Sequence, residues 1–393
     1  MTNKFVRPDI AEMEPYVPIV PFEVLSARLG RAPEEIVKLD ANENPYGPSP
    51  TALDALRNGR FFHIYPDPES NELRNALSTY VNMPKERLLA GMGADELIDL
   101  VLRVVLSPGD VVIDCPPSFG MYPFSTAVNS GQYVPVWRKD DFSLDISAIE
   151  QAVANHPTAK VLFLCSPNNP DGSTIPDADL RRLLDLPLLV VLDEAYVDFA
   201  FDLNRKEREE RKEKTEESFA FGKPGLHASF AVNNASRIQW TLEYDNLAVL
   251  RTFSKLAGLA GLRVGYGAFP KWLLPHLWKI KQPYNINVAA SLAALASLED
   301  QAWLHEKVQL LVAERERLLA ELGTISYLNP FPSRSNFILC RVIGRDAQAL
   351  KLDLEKEGIL VRYFNKPGVD NCIRISAGRP EETEKLLAVL NKF

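Results

Sequence analysis

The amino-acid sequence predicts an α/β fold, with a large domain on a mostly parallel, helix-covered sheet and a smaller α+β domain after it. Three observations carry this. Val111–Cys115, Lys160–Cys165, Leu188–Leu192 and Leu247–Leu250 are short runs rich in Val, Ile or Leu with little polar alternation, as expected of strands covered on both faces. Between them, Ile146–Asn155 and Asp177–Leu184 carry helical spacing, and strand–helix alternation builds parallel sheets. Near residue 300 the pattern changes to a long helix over Asp300–Leu322, strands over Phe337–Val342 and Cys372–Ser376, and a helix at Ala347–Glu357 between them.

The expected division of the 393 residues is an N-terminal arm with part of the small domain (1–43), a large domain (44–290) and a small domain (291–393). The proline-rich start, with Pro15, Pro18 and Pro21, is expected to pack across the small domain. One stretch departs from its surroundings, because twelve of the thirteen residues from Arg205 to Glu217 are charged. Glu207/Arg211 and Glu210/Lys214 are i,i+4 pairs, each worth a few tenths of a kcal/mol to an exposed helix. The stretch reads as a solvated insertion, spanning about residues 203–243, rather than a partner-binding element.

Composition excludes several function classes. Apolar residues make up 46% and charged residues 24%, ordinary values for a globular protein with a sizeable core. The net charge of −8, from 44 basic and 52 acidic residues, gives no footprint for nucleic acid. A few local arginines could still grip an anionic substrate. Cys115, Cys165, Cys340 and Cys372 show no C-x-x-C spacing and the five histidines are scattered, so neither a metal site nor a disulfide framework is expected. No window reaches the apolar length of a membrane helix, and Met1–Pro8 lacks a leader pattern; a cytoplasmic protein without membrane contact is expected.

The candidate chemistry begins at Arg251-Thr252-Phe253-Ser254-Lys255, directly after an apolar strand. Open α/β sheets bind ligands at the carboxyl ends of their strands, and a lysine of lowered pKa there can attack an aldehyde. Lys255 alone would be a surface residue more often than not, but its company changes that. Eight residues on stands Arg263, among Gly258, Gly261, Gly265 and Gly267, suited to close backbone approach and to paired donation to a phosphate. Asp193 ends another strand, in Leu192-Asp193-Glu194-Ala195-Tyr196. It could be an ordinary strand-end cap, or a buried carboxylate that partners a protonated pyridine nitrogen. Cys165-Ser166-Pro167-Asn168-Asn169-Pro170-Asp171-Gly172 is a rigid turn; it could be no more than that, or it could aim the Asn169 amide at a ligand. Gly91-Met92-Gly93-Ala94-Asp95-Glu96 leads into an apolar helix pattern, a ready anion site at a helix N-terminus. As a dinucleotide fingerprint it fails, because Glu96 stands where the third glycine belongs, and the P-loop Lys-Ser/Thr is missing.

Asn42-Glu43-Asn44-Pro45, Tyr65-Pro66-Asp67, Gly93–Glu96, Cys165–Pro170, Asp193–Tyr196, Thr252–Lys255 and Gly261-Leu262-Arg263 follow one another over nearly the whole chain. In this order the chain resembles the class II pyridoxal-phosphate-dependent aminotransferases of fold type I, most closely the histidinol-phosphate aminotransferases. The resemblance implies pyridoxal 5'-phosphate as cofactor, held as a Schiff base on Lys255, which would also shuttle a proton. It implies that Asp193 keeps the pyridine nitrogen protonated and that Asn169 and Tyr196 bond the phenolic oxygen. Gly93, Ala94, Asp95, Thr252, Ser254 and Arg263 would hold the phosphate, joined by Tyr65 of the neighbouring subunit in a homodimer.

Phe119 would stack on the ring where the family often has tyrosine, so stacking survives while any hydrogen bond from the hydroxyl is lost. Substrate recognition would rest on Arg362 and Arg374 together with Asn44, Tyr65 and Asn169. The reaction implied is amino transfer between histidinol phosphate and 2-oxoglutarate, giving imidazole-acetol phosphate and glutamate, in histidine biosynthesis. An aromatic amino acid aminotransferase and a threonine-phosphate decarboxylase share the same lysine, aspartate and arginines and stay open. A ligand sensor without catalysis and a nicotinamide-dependent dehydrogenase are the alternatives from other classes.

Overall fold

The structure is a computed structural model that describes residues 4–15, 20–200 and 235–393. The charged stretch Arg205–Glu217 and Pro18 lie outside the described residues. Twelve strands are described: β1 (Val37–Leu39), β2 (Leu88–Gly91), β3 (Val111–Asp114), β4 (Gln132–Pro135), β5 (Ala159–Cys165), β6 (Leu189–Asp193), β7 (Leu247–Thr252), β8 (Gly265–Ala268), β9 (Leu328–Pro330), β10 (Phe337–Val342), β11 (Ile359–Phe364) and β12 (Cys372–Ser376).

Seven of them form the larger sheet, in the order β2-β8-β7-β6-β5-β3-β4. The run from β4 to β7 is parallel, whereas β8 lies antiparallel to both β7 and β2. The four strands expected from continuous apolar runs are β3, β5, β6 and β7, and the reason for their composition is visible. Leu162, Leu164, Val190, Leu192 and Val249 enter the core on one face, while Val161, Phe163, Val191, Ala248 and Leu250 enter that on the other. Each strand is buried twice, so neither register position can be polar. The helix Gly93–Val105 covers one face with Leu97, Ile98, Val101 and Leu102, a helical stripe of fully buried side chains.

The smaller sheet has the order β1-β11-β12-β10-β9, with β1 parallel to β11 and the remaining pairs antiparallel. Ile338, Cys340, Ile373 and Ile375 pack there against Leu350 and Leu354 of the helix Ala347–Lys356. The helix Gln301–Leu322 links both cores, with Leu304, Val308 and Leu311 in the first and Leu318 and Leu322 in the second.

The N-terminal arm divides. The helix Phe22–Leu29 puts Leu25 against Ile36 and Leu360 of β11, on the smaller sheet. The earlier turn Pro8–Ala11 instead docks on the larger unit, where Arg7 donates to the Val128 carbonyl (3.3 Å) at the end of the helix Met121–Val128. The end of the expected insertion also differs from a solvated excursion. Ile238 and Thr241 are buried, and Ser236 Oγ and the Arg237 amide donate to the buried Glu194 carboxylate at 2.6 and 2.5 Å. A buried carboxylate must find donors, and this returning segment supplies them. No helix among the described residues is long and apolar enough to cross a membrane.

Candidate active site

The carboxyl ends of β5, β6 and β7 open into a cavity of about 390 Å³ lined by residues from Ala41 to Arg263. Ala94, Asp95, Phe119, Asn169, Asp193, Tyr196, Thr252, Ser254, Lys255 and Arg263 all line it. Parallel strands place their successive loops on one edge of the sheet, so side chains far apart in sequence converge.

Lys255 sits in the short helix Phe253–Leu256 that follows β7, and its Nζ donates to the Ala41 carbonyl at 3.0 Å. Burial lowers its pKa to about 8, helped by the positive charge of Arg374 and opposed by Glu43. The lowered pKa enlarges the unprotonated fraction of the amine near neutral pH, the form that nucleophilic attack on a carbonyl requires.

Asp193, at the end of β6, is 3% exposed. Its Oδ2 accepts from the Tyr122 hydroxyl (2.8 Å) and its Oδ1 from the Ala195 amide (2.9 Å). Burial pushes its pKa up to about 6 against those two bonds, and among the described residues no ion pair reaches it. A buried carboxylate at the floor of a cavity without an internal cation calls for one from a ligand. Sequence patterns gave no sign of Tyr122, which is fully buried and stacked on Phe163 at 4.6 Å.

Opposite this floor lies an anion cradle. Gly93 has φ +76, a backbone that glycine adopts without strain, and Arg263 Nη2 lies 2.7 Å from where a Cβ would stand, so the guanidinium lies close across the first turn of Gly93–Val105. Arg263 itself takes a left-handed backbone (φ 52) and donates to Asp95 at 2.7 Å. Thr252 Oγ1 caps the Ser254 amide at 3.1 Å and leaves both hydroxyls at the cavity wall. Helix N–H groups, two hydroxyls and a guanidinium suit a dianionic phosphate. With the lysine, the unpaired carboxylate and Phe119 on the wall, the donor set fits pyridoxal phosphate.

Arg374 of β12 and Arg362 of β11 are directly opposite in the antiparallel register. Like charges so placed repel, and a bound anion would offset that. Arg374 is 6% exposed and reaches the cavity through Asn169 Oδ1, to which Nη1 donates at 2.6 Å. Arg362 is half-buried with its guanidinium 5.8 Å from the Phe364 ring.

Gly93, Arg362 and Arg374 do not themselves line the cavity, and two further expected residues, Asn44 and Tyr65, also fall outside it. Asn44 is buried with Nδ2 donating to the Leu256 carbonyl (2.9 Å) and Oδ1 accepting from the Tyr46 amide (3.0 Å). These bonds fasten its own loop. Tyr65 is 79% exposed and stacks on Tyr284 at 4.7 Å, away from the cavity of its own chain. Phe61, Phe62 and Ile64 beside it are each more than half exposed, an apolar patch of the kind that marks an interface.

Residues 34–390 match the family described as Aminotransferase class I and II. The chain is 50% identical over 392 residues to a chloroplastic histidinol-phosphate aminotransferase of Nicotiana plumbaginifolia, covering 100% of this chain and 87% of that protein. It is 47% identical over 395 residues to the histidinol-phosphate aminotransferase of Roseiflexus castenholzii, covering 98% and 97% of the two chains. Among solved structures, the histidinol-phosphate aminotransferase of Sinorhizobium meliloti in complex with pyridoxal-5'-phosphate superposes with a TM-score of 0.82 at 27% identity, over 99% and 98% of the chains. Thermus thermophilus aspartate aminotransferase with maleate shares the fold, with a TM-score of 0.75 at 20% identity over 98% and 99% of the chains.

Proposed function

The chain belongs to the class I and II aminotransferase family, and from that premise we propose that it transfers the amino group between histidinol phosphate and 2-oxoglutarate, in histidine biosynthesis, using pyridoxal 5'-phosphate. The observation that carries the choice of substrate is the facing pair Arg362 and Arg374. Histidinol phosphate has no α-carboxylate but carries a phosphate, and 2-oxoglutarate carries two carboxylates. Two guanidinium forks on one strand pair can grip either anion in turn.

When bound, the cofactor supplies an electron-withdrawing ring that carries the amino group between donor and acceptor. The chain's residues do the rest. Arg263, Ser254, Thr252 and the helix start at Gly93–Asp95 hold the phosphate. Tyr122 and the Ala195 amide keep the oxygens of Asp193 fixed, and its charge would hold a proton on the ring nitrogen. Asn169, Tyr196 and Phe119 line the cavity; the two polar side chains would bond the ring's phenolic oxygen and Phe119 would stack on the ring. Lys255 Nζ, with its lowered pKa, accepts a proton from the substrate's α-carbon and returns it at the other end of the transfer.

Donor preference tests the substrate. With 2-oxoglutarate as acceptor, kcat/KM for histidinol phosphate is expected to exceed that for phenylalanine by about 100-fold, the value of one charge-assisted anion contact. Equal values, or a preference for phenylalanine, would replace the reading with an aromatic aminotransferase. The absence of transamination together with carbon dioxide release from threonine phosphate would replace it with a decarboxylase.

The exposed Tyr65 patch supports a homodimer in which Tyr65 of each subunit completes the phosphate site of the other. Mixing Lys255→Ala subunits with Tyr65→Ala subunits is then expected to restore about one quarter of the parental activity, since random exchange leaves one intact site in each heterodimer. No recovery on subunit exchange would refute the shared site. An aqueous, reducing compartment suits the four buried free thiols.

A further inference from the structure

Tyr196 is held in an unusual way for a residue at a cavity wall. Its hydroxyl oxygen accepts from Asn42 Nδ2 at 3.0 Å and from Asn169 Nδ2 at 3.5 Å. A phenol has two lone pairs and one proton. With both lone pairs taken by amides, and no acceptor for the proton among the described residues, the O–H is left to point into the cavity.

Asn42 is the stronger of these two donors and is itself immobilised. It is 1% exposed and adopts a left-handed backbone (φ 55), which asparagine tolerates better than most residues. Each of its hydrogen-bonding groups is engaged. The amide donates to Ser376 Oγ (2.9 Å), Oδ1 accepts from that same hydroxyl (3.1 Å), and the carbonyl accepts from Asn336 Nδ2 (3.0 Å). The Asn42 side-chain amide therefore cannot flip without breaking the Ser376 bond. Ser376 lies two residues beyond Arg374 on β12, and Arg374 Nη2 donates to the Asp40 carbonyl at 2.9 Å. One short loop thus ties the strand of the substrate arginine to Tyr196 and, through the Ala41 carbonyl, to Lys255.

We propose that Asn42 is a positioning residue for the reaction: it aims the Tyr196 hydroxyl proton into the cavity and couples that orientation to the strand that bears Arg374. The inference rests on the cofactor reading above, in which Tyr196 faces the ring's phenolic oxygen. The charged and titratable groups around Tyr196 are Arg374, Lys255, Asp193 and the Cys165 thiol. Burial holds the phenol up at about 12, with Arg374 and the Asn42 bond opposing that rise. The Asn42 donor thus strengthens the phenol as a donor to a neighbouring oxygen.

The test is the pH midpoint of the holoenzyme's visible absorption band, read without turnover. Asn42→Gly removes the side chain without backbone strain, since glycine accepts positive φ. It is expected to move the midpoint in the same direction as Tyr196→Phe, by about three- to tenfold in the protonation constant, the value of one hydrogen bond. Asn42→Asp, which swaps the donor for an acceptor that captures the phenol proton, is expected to move it the same way and further. On a Tyr196→Phe background, Asn42→Gly should add almost nothing, because its effect passes through the missing hydroxyl. An unmoved midpoint in Asn42→Gly, or an equal shift with and without the Tyr196 hydroxyl, would overturn the proposal. Should Asn42→Gly not fold, Asn42→Asp and Ser376→Ala carry the same comparison, and unmoved midpoints in both overturn it. A protein with no visible band at all would defeat the cofactor reading instead.

Discussion

Lys255→Ala is expected to lower kcat by about four orders of magnitude and to abolish the visible absorption band of the protein with its cofactor. The loss combines a missing nucleophile with a missing proton carrier, each a large effect in a closed site. Lys255→Arg is expected to fail as badly, because a guanidinium keeps its proton at any working pH. Single-turnover mixing with histidinol phosphate measures the loss, and a variant that keeps more than a tenth of the parental rate would remove Lys255 from the chemistry.

The same lysine makes a second, opposite prediction about stability. Its pKa falls from 10.5 to about 8 on folding. Between those values the unfolded chain binds a proton that the folded chain has lost, so stability rises with pH across that window and the cost is complete below about pH 8. Lys255→Met apoprotein should therefore melt higher than the parent at pH 7, with the difference shrinking as pH is raised from 8 towards 10. A parent that melts higher at pH 7 would show that the Ala41 bond outweighs the desolvation.

Asp193→Asn is expected to weaken cofactor binding by about 10²- to 10³-fold, the range for stripping one partner from a buried ion pair. Turnover should fall by at least as much at saturating cofactor, since a neutral amide cannot hold the ring nitrogen's proton by charge. In the apoprotein the sign reverses. Burial raises the carboxyl from 3.8 to about 6, so the folded chain holds a proton between those values that the unfolded chain has released. The cost of burying the carboxylate is complete above about pH 6 and fades as pH falls through the window. The asparagine variant should thus melt higher than the parent at pH 7 and match it near pH 4. Fluorescence titration of cofactor and melting scans at the two pH values read both effects, and unchanged cofactor affinity would dismiss the pyridinium partner. Stabilising the empty protein while disabling the loaded one is what a functional buried charge does.

Much of the fold and of the site was legible in the chain. The strands β3, β5, β6 and β7 were visible because burial on both faces leaves no polar position in them. β2, β4 and β8 were not, since β2 and β4 lie at the two sheet edges, where burial imposes no continuous apolar run, and β2 and β8 carry glycine. The convergence of Lys255, Asp193 and Asn169 on one cavity was readable because each sits at or just after the end of an apolar strand, where sheet geometry brings loops together. Tyr122 was invisible, being one buried aromatic among many until its hydroxyl is seen 2.8 Å from Asp193. The loop-fastening bonds of Asn44 were equally invisible, since an asparagine beside a proline looks the same whether it faces a ligand or holds its own loop.

By itself the sequence determined the layered α/β class, the chemical inventory and its order along the chain, because patterning, turn residues and strand-end placement are local. Only the tertiary structure decided what each group faces. It showed that Arg362 and Arg374 oppose each other across two strands, that Asp193 is buried with no cation beside it among the described residues, and that the loop at Asn42 joins Lys255, Tyr196 and Arg374. The reason is physical. Charge state and hydrogen-bond direction depend on desolvation and on partners hundreds of residues away, and no local pattern encodes either.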